Sequence, residues 1–149
     1  MQYAGDIMST DVITVSPETT IQELAQLLSS HRISGVPVVD ASGNLISVVT
    51  ENDLIDQTKK VHIPTVVTIF DSVFYLENPD KMEKEMKKIA GYLVKDICAD
   101  SVISVKEETP LDEIATIMAE QHVHTLPVIK DGELVGVIGK KDIIRTLIG

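Results

Sequence analysis

The chain states nearly the same sequence twice. Residues 6–56 read DIMSTDVITVSPETTIQELAQLLSSHRISGVPVVDASGNLISVVTENDLID, and residues 96–145 read DICADSVISVKEETPLDEIATIMAEQHVHTLPVIKDGELVGVIGKKDIIR. Equivalent residues lie 90 apart from Asp6/Asp96 to Pro37/Pro127. They lie 89 apart from Gly43/Gly132 to Asp53/Asp142, so one residue is deleted near Ala41. A segment this short buries too little apolar surface to be comfortably stable alone. The two copies are therefore expected to share a core and to pack about a pseudo-two-fold axis, leaving two equivalent clefts between them. Function should be sought in those clefts.

Composition bounds what could sit there. Of the 149 residues 44% are hydrophobic but only 3% aromatic, so the core must be Val, Ile and Leu with Met as filler. A net charge of −10 excludes general nucleic-acid or anionic-membrane binding and obliges any anionic ligand to find locally placed donors. Cys98 is the single cysteine, so no internal disulfide and no oxidising compartment are implied. The start MQYAGDIM lacks a basic-then-apolar leader, and no apolar run approaches the ~20 residues that span a bilayer. These features together predict a cytoplasmic protein with neither nucleic acid nor membrane as partner.

Each repeat carries the same order of elements: strand, helix, strand, strand, helix. The β-branched runs Val12–Val15 and Val102–Val105 predict a leading strand. Polar stretches with proline follow. Thr19 or Thr20 in the first copy and Thr109 in the second can cap the next helix, with Pro110 in its first turn. Ile21, Leu24, Ala25 and Leu28, and equally Leu111, Ile114, Ala115 and Met118, recur at helical spacing and define one buried stripe per helix. Val36–Val39 and Leu45–Val49 flank Ser42-Gly43, while Leu126–Ile129 and Leu134–Ile138 flank Asp131-Gly132, and both pairs predict hairpins. A second helix opens at Thr50 and near Lys140.

These boundaries divide the chain into a first repeat over 1–56, an insertion over 57–94 and a second repeat over 95–149. Within the insertion, His62–Leu76 is apolar and β-branched, and its periodicity leaves strand and helix open; the apolar excess needs a cover, either its own core or a second subunit. Asn78 as cap and Pro79 at the first position predict a helix over about 79–93, with Met82, Met86, Ile89 and Leu93 on its apolar stripe and a solvated Lys/Glu face.

The repeat resembles the CBS domain, named after cystathionine β-synthase, and the tandem resembles a stand-alone CBS pair, or Bateman module. In the first copy the resemblance rests on Asp6-Ile7-Met8, Val12–Pro17, Ile33–Asp40, Gly43–Ile46 and Thr50–Ile55. In the second it rests on Asp96-Ile97, Val102–Val105, Val123–Ile129, Asp131-Gly132 and Asp142–Ile144. Each piece alone is weak; their order, repeated twice, is specific. The insertion lies outside the pattern. The resemblance implies an α/β fold of two packed repeats. It also implies a regulatory ligand, adenosine-containing (AMP, ADP, ATP or S-adenosylmethionine), held in the two clefts with no catalytic cofactor. A homodimer and a separate effector protein are the partners it implies.

For the first cleft the resemblance points to Thr50 and Asp53 facing Ile103, Val123, His124 and Thr125 of the other repeat. A carboxylate at a helix start can accept hydrogen bonds from both hydroxyls of a ribose, and the helix N-terminus favours an anion. The same two residues could simply stabilise the first helical turn. Val and Ile can sandwich a flat base. His124 could donate to a phosphate or be no more than a hairpin-edge histidine. His122 and His124 lack a Cys or carboxylate at ligand spacing, so no metal site is expected. The second cleft would use Asp142 with Ile13, Ile33, Ser34 and Gly35. There Gly139 stands where Thr50 stands in the first copy, so a hydroxyl is lost. Lys140 and Lys141 could compensate. His31 and Arg32 are phosphate candidates, although Arg32 could equally be a solvated helix-end cation. The clefts should therefore be unequal, with the Thr50/Asp53 cleft the better formed.

No nucleophile–base pair, phosphate-binding glycine loop or carboxylate pair with a surrounding motif is present, so the chain is not expected to be an enzyme. The alternative is a structural dimerisation scaffold whose clefts are vestigial.

Overall fold

A computed structural model describes residues 1–60, 66–69, 72–75 and 92–148 of the chain. In chain order the elements are α1 (Ala4–Ile7), α2 (Ile21–His31), β1 (Gly35–Val39), β2 (Leu45–Thr50), α3 (Glu51–Lys60), β3 (Val66–Ile69), β4 (Ser72–Tyr75), α4 (Val94–Ile97), β5 (Val105–Lys106), α5 (Leu111–Gln121), β6 (Thr125–Lys130), β7 (Glu133–Gly139) and α6 (Lys140–Ile148).

Both repeats form the expected hairpin. β1 pairs antiparallel with β2 from Gly35↔Thr50 to Val39↔Leu45, and β6 pairs with β7 from Thr125↔Gly139 to Lys130↔Glu133. The second hairpin turns on Asp131 and Gly132, both with positive φ, the combination a two-residue turn needs to follow the strand twist. Alternation along β1 and β6 is absent: Val36, Pro37 and Val38, like Leu126, Pro127 and Val128, are buried on both faces. Helix α2 begins on a capping box, with Thr20 Oγ1 accepting from Glu23 N at 3.1 Å and Glu23 Oε2 from Thr20 N at 3.4 Å.

Several expectations need correction. The leading strands over Val12–Val15 and Val102–Val105 shrink to a bridge at Val15 and the two residues of β5, which pairs in parallel with β6. Val15 takes both of its bonds from one side, donating to Pro37 O at 3.0 Å and accepting from Val39 N at 2.9 Å. The residues before it turn to the clefts instead. Thr109 does not cap α5. Its Oγ1 accepts from Lys106 N at 3.0 Å, closing the turn before the helix, and Pro110 is the N-cap rather than a first-turn residue. Ala25 and Ala115 are exposed, while Leu27 and Ile117 pack on the cores, so the buried stripe runs on the other side of Leu24 and Ile114. Of the insertion, β3 and β4 form an antiparallel hairpin from Val66↔Tyr75 to Ile69↔Ser72. Most of the helix expected over 79–93 lies outside the described residues. Leu93, placed on its apolar stripe, is extended and bridges Thr20.

The short turns α1 and α4, which apolar periodicity does not reveal, tie the molecule together. Each is closed by an aspartate, Asp6 Oδ2 accepting from Tyr3 N at 2.9 Å and Asp96 Oδ2 from Leu93 N at 2.8 Å. Each docks on the opposite repeat. Ala4 N donates to Thr109 O at 2.8 Å, and Val94 N donates to Thr19 O at 2.8 Å. The cores follow this exchange. Ala4 is buried with Val105, Ile114, Leu126 and Ile138, and Val94 with Val15, Leu24, Val36 and Val49. Neither core is complete without a residue carried in from the other copy. Among the described residues no helix is long and apolar enough to cross a membrane.

Candidate functional site

The second hairpin strand of each repeat runs directly into a helix, and that junction builds the polar end of each cleft. At β2–α3, Thr50 ends the strand and Asp53 lies in the first helical turn. Asp53 Oδ2 accepts from Thr50 N at 2.8 Å and from Thr50 Oγ1 at 3.2 Å, while Asp53 N donates back to Thr50 Oγ1 at 3.3 Å. The carboxylate is thereby fixed at the start of a helix, where the aligned peptide dipoles favour negative charge. At β7–α6, Asp142 Oδ2 accepts from Gly139 N at 2.7 Å, the same bond without the hydroxyl. Asp142 Oδ1 meets Arg145 Nη2 at 3.1 Å. Both helix starts are anchored to the segment ahead of the hairpin, Glu51 N donating to Ser34 O at 2.8 Å and Lys140 N to His124 O at 3.2 Å.

All the residues expected in the first cleft come together. Thr50 and Asp53 form one wall of a cavity of about 350 Å³, and Ile103, Val123, His124 and Thr125 form the other. The second set also converges. Ile13, Ile33, Ser34 and Gly35 face Gly139 and Asp142 across a cavity of about 560 Å³. Both volumes fall in the range of small-molecule sites. The clefts differ, in two opposing respects. Asp53 receives two hydrogen bonds from Thr50 where Asp142 receives one from Gly139, yet the Asp142 cleft is the larger.

Charge separates them further. Glu51, Asp53, His122 and His124 are the ionisable side chains of the first cleft, and no lysine or arginine among the described residues lines it. The second carries Arg32, Lys140, Lys141 and Arg145 with His31, against Asp11, Glu51 and Asp142. Lys141 Nζ donates to the backbone carbonyl of Arg32 at 3.4 Å, tying the start of α6 to the end of α2. Sequence reasoning omitted Arg145, Glu51 and the pairs Ser9/Ala99, Asp11/Ser101 and Val48/Val137, which line equivalent positions of the two clefts. The repeat offset relates each pair and could have found them.

Two halves of the chain thus build one kind of site twice. The CBS domain model matches residues 4–60 and 94–149. The chain belongs to the CBS domain family. Among curated relatives it is 33% identical over 144 residues to the chloroplastic CBS domain-containing protein CBSX1 of Arabidopsis thaliana, covering 91% of this chain and 58% of that protein. It is 29% identical over 143 residues to a CBS domain-containing protein of Dictyostelium discoideum, covering 95% and 88%. The chain spans 58–61% of the length of CBSX1 and CBSX2. Among solved structures, CBSX2 in complex with AMP superposes with a TM-score of 0.74 at 24% identity, over 99% of this chain and 97% of that one. The CBS domain pair of protein MJ0100, in complex with 5′-methylthioadenosine and S-adenosyl-L-methionine, does so with a TM-score of 0.71 at 24% identity, over 100% and 98%. The architecture of this tandem of CBS repeats is theirs.

Proposed function

We propose that this CBS pair is a regulatory sensing module that binds adenosine-containing ligands in the clefts between its repeats and catalyses no reaction on them. The observation that carries the reading is the setting of Asp53. Its Oδ2 is held by Thr50, no hydrogen bond from the described residues reaches Oδ1, and the carboxylate faces a cavity whose far wall is Ile103 and Val123. A ribose diol on the carboxylate would leave the base between the apolar side chains of the other repeat. Relatives of this fold hold AMP, 5′-methylthioadenosine and S-adenosyl-L-methionine, which supports the ligand class. In this reading Thr50, Asp53, Ile103, Val123, His124 and Thr125 bind one ligand. Ile13, Ile33, Ser34, Gly35, Gly139 and Asp142 bind the other.

A ligand that touches both repeats favours whichever packing of the two it fits better, and that difference is the signal. The output would pass to a separate effector protein or to a second copy of the chain, in a cytoplasmic setting that suits the single thiol. Ile55, Ile144 and Leu147, exposed by 60, 53 and 82%, give α3 and α6 apolar residues that a second copy could cover. They also favour the second reading, a dimerisation scaffold with vestigial clefts.

Isothermal titration with AMP, ADP, ATP and S-adenosyl-L-methionine separates the two. Saturable binding that weakens in Asp53→Ala or Asp142→Ala, with ligand recovered unchanged, supports the sensor. Absence of binding by all four ligands leaves the scaffold.

A further inference from the structure

We propose that the two clefts divide adenosine ligands by charge: the Asp142 cleft takes adenosine 5′-phosphates, and the Asp53 cleft takes adenosine derivatives without phosphate. The assignment rests on the reading of both clefts as adenosine sites and adds which ligand each accepts.

The basis is a set of substitutions at equivalent positions. Arg145 corresponds to Asp56, Lys140 to Glu51, Lys141 to Asn52 and Arg32 to His122. Where the second cleft has a cation, the equivalent position is acidic, neutral or weakly basic, and three of these four, Glu51, Asn52 and His122, line the first cleft. The backbone scaffolds are alike, because Glu51 N and Lys140 N make the same bond and Asp53 and Asp142 cap the same turn. What differs is the charge that a ligand's 5′ end would meet.

In the Asp142 cleft a phosphate would find Lys140 and Lys141 at the start of α6, Arg145 further along the same helix, and Arg32 at the end of α2. Arg145 is already poised, with Nη2 3.1 Å from Asp142 Oδ1 and its side chain 72% exposed. An ion pair this open is weak, so the guanidinium can turn to a ligand phosphate at little loss and bind it through two parallel N–H donors. In the Asp53 cleft the same phosphate would meet Glu51 and Asp53 with only His122 and His124 to offset them, within a protein of net charge −10. A ligand with an uncharged 5′ substituent avoids that repulsion and keeps the diol and base contacts. The Asp53 cleft is also the smaller, about 350 Å³ against 560 Å³, as suits a ligand without phosphates.

The test is isothermal titration of the full chain with AMP and with 5′-methylthioadenosine, in wild type, Arg145→Gln, Asp142→Ala and Asp53→Ala. We expect AMP affinity to fall tenfold or more in Arg145→Gln and Asp142→Ala and to change less than twofold in Asp53→Ala. The pattern for 5′-methylthioadenosine should be the reverse. Retained binding of the other ligand shows that each variant is folded. Raising the salt concentration should weaken AMP and leave 5′-methylthioadenosine nearly unaffected. AMP binding that survives Arg145→Gln but is lost in Asp53→Ala would overturn the division by charge while leaving the adenosine reading intact. Failure of both ligands to bind wild type would overturn the adenosine reading and the division with it.

Discussion

Gly35 and Thr125 occupy the same position in the two repeats and meet each other at the pseudo-two-fold axis. A Cβ on Gly35 would lie 2.9 Å from Thr125 Oγ1 and 3.1 Å from Thr50 Cγ2. Thr125 lines both clefts, as do Ser34 and Glu51, so the partition between the two sites is built where β1 and β6 approach most closely. One repeat supplies a glycine at this point and the other a threonine.

That pairing predicts non-additive mutants. Gly35→Ala should destabilise by about 1–3 kcal/mol through overpacking, because a β-branched threonine has little freedom to move aside. Thr125→Ala removes the obstructing oxygen, so the double variant should recover at least half of that loss. Urea unfolding of the four proteins in a double-mutant cycle measures the coupling. Strict additivity would mean that the strands separate elsewhere.

Arg32 and His122 are also equivalent, and both end a helix in the left-handed conformation, with φ of 53° and 55°. Glycine is the usual residue there, and a side chain carries a conformational cost. Arg32→Gly and His122→Gly should each stabilise the fold by about 0.5–1 kcal/mol, a rise of about 1–4 °C in melting temperature. Each residue lines a cleft, Arg32 the Asp142 cleft and His122 the Asp53 cleft. Arg32→Gly should weaken AMP binding even as the protein becomes harder to melt, and His122→Gly should leave AMP untouched. A fall in melting temperature would show that these side chains make contacts worth more than the backbone cost.

The repeat made most of this architecture legible in advance. Hairpins and helix order follow from the repeated pattern, while the twelve cleft residues follow from the resemblance to the CBS family, carried onto each copy in turn. Two things did not follow. The turns at Ala4–Ile7 and Val94–Ile97 are too short to show helical periodicity, and their exchange between repeats is a long-range choice that local pattern cannot express. Arg145 carries no signal of this kind, because its equivalent, Asp56, has the opposite charge and a repeat displays only what its copies share. The alanines of the two stripes misled for a related reason: Ala is small enough to face either way, and Leu27 and Ile117 claim the core instead.

Acid should loosen the first hairpin selectively. Asp40 Oδ1 accepts from Asn44 N and from Ser42 N, both at 2.9 Å. The bond from Asn44 N is the main cause that holds the carboxyl below the usual aspartate value; those from Ser42, the Asn44 side chain and Gly43 add to it, against a partial opposing effect of burial. A carboxyl with a lowered folded-state pKa stabilises fully above its unfolded value and loses that contribution as pH falls through the folded one. The equivalent residue in the second repeat is Lys130, so that hairpin lacks the device. Amide exchange at Ser42 and Asn44 should accelerate relative to the second hairpin below about pH 4. Asp40→Ala should abolish the difference, and equal acid sensitivity of both turns would refute the assignment.

The exchange of α1 and α4 makes the repeats a single cooperative unit, and Gly136 tests this. A Cβ at Gly136 in β7 would collide with Sδ of Met8, which follows α1 and packs over the second repeat's core. The equivalents in the other half are Ser47, which is buried, and Cys98, which packs on the first repeat's core: a larger residue in the strand and a shorter one after the turn. Gly136→Ala should therefore cost about 1–3 kcal/mol, and Met8→Ala in that background should restore part of it. Val94→Ala, which hollows the first repeat's core from the last residue of the insertion, should cost about 2 kcal/mol. All three variants should shift one unfolding transition without splitting it, followed both by circular dichroism and by amide exchange in each repeat. Two separate transitions, with Gly136→Ala moving one and Val94→Ala the other, would mean that the exchanged turns do not couple the repeats and that a ligand in one cleft has no mechanical route to the other.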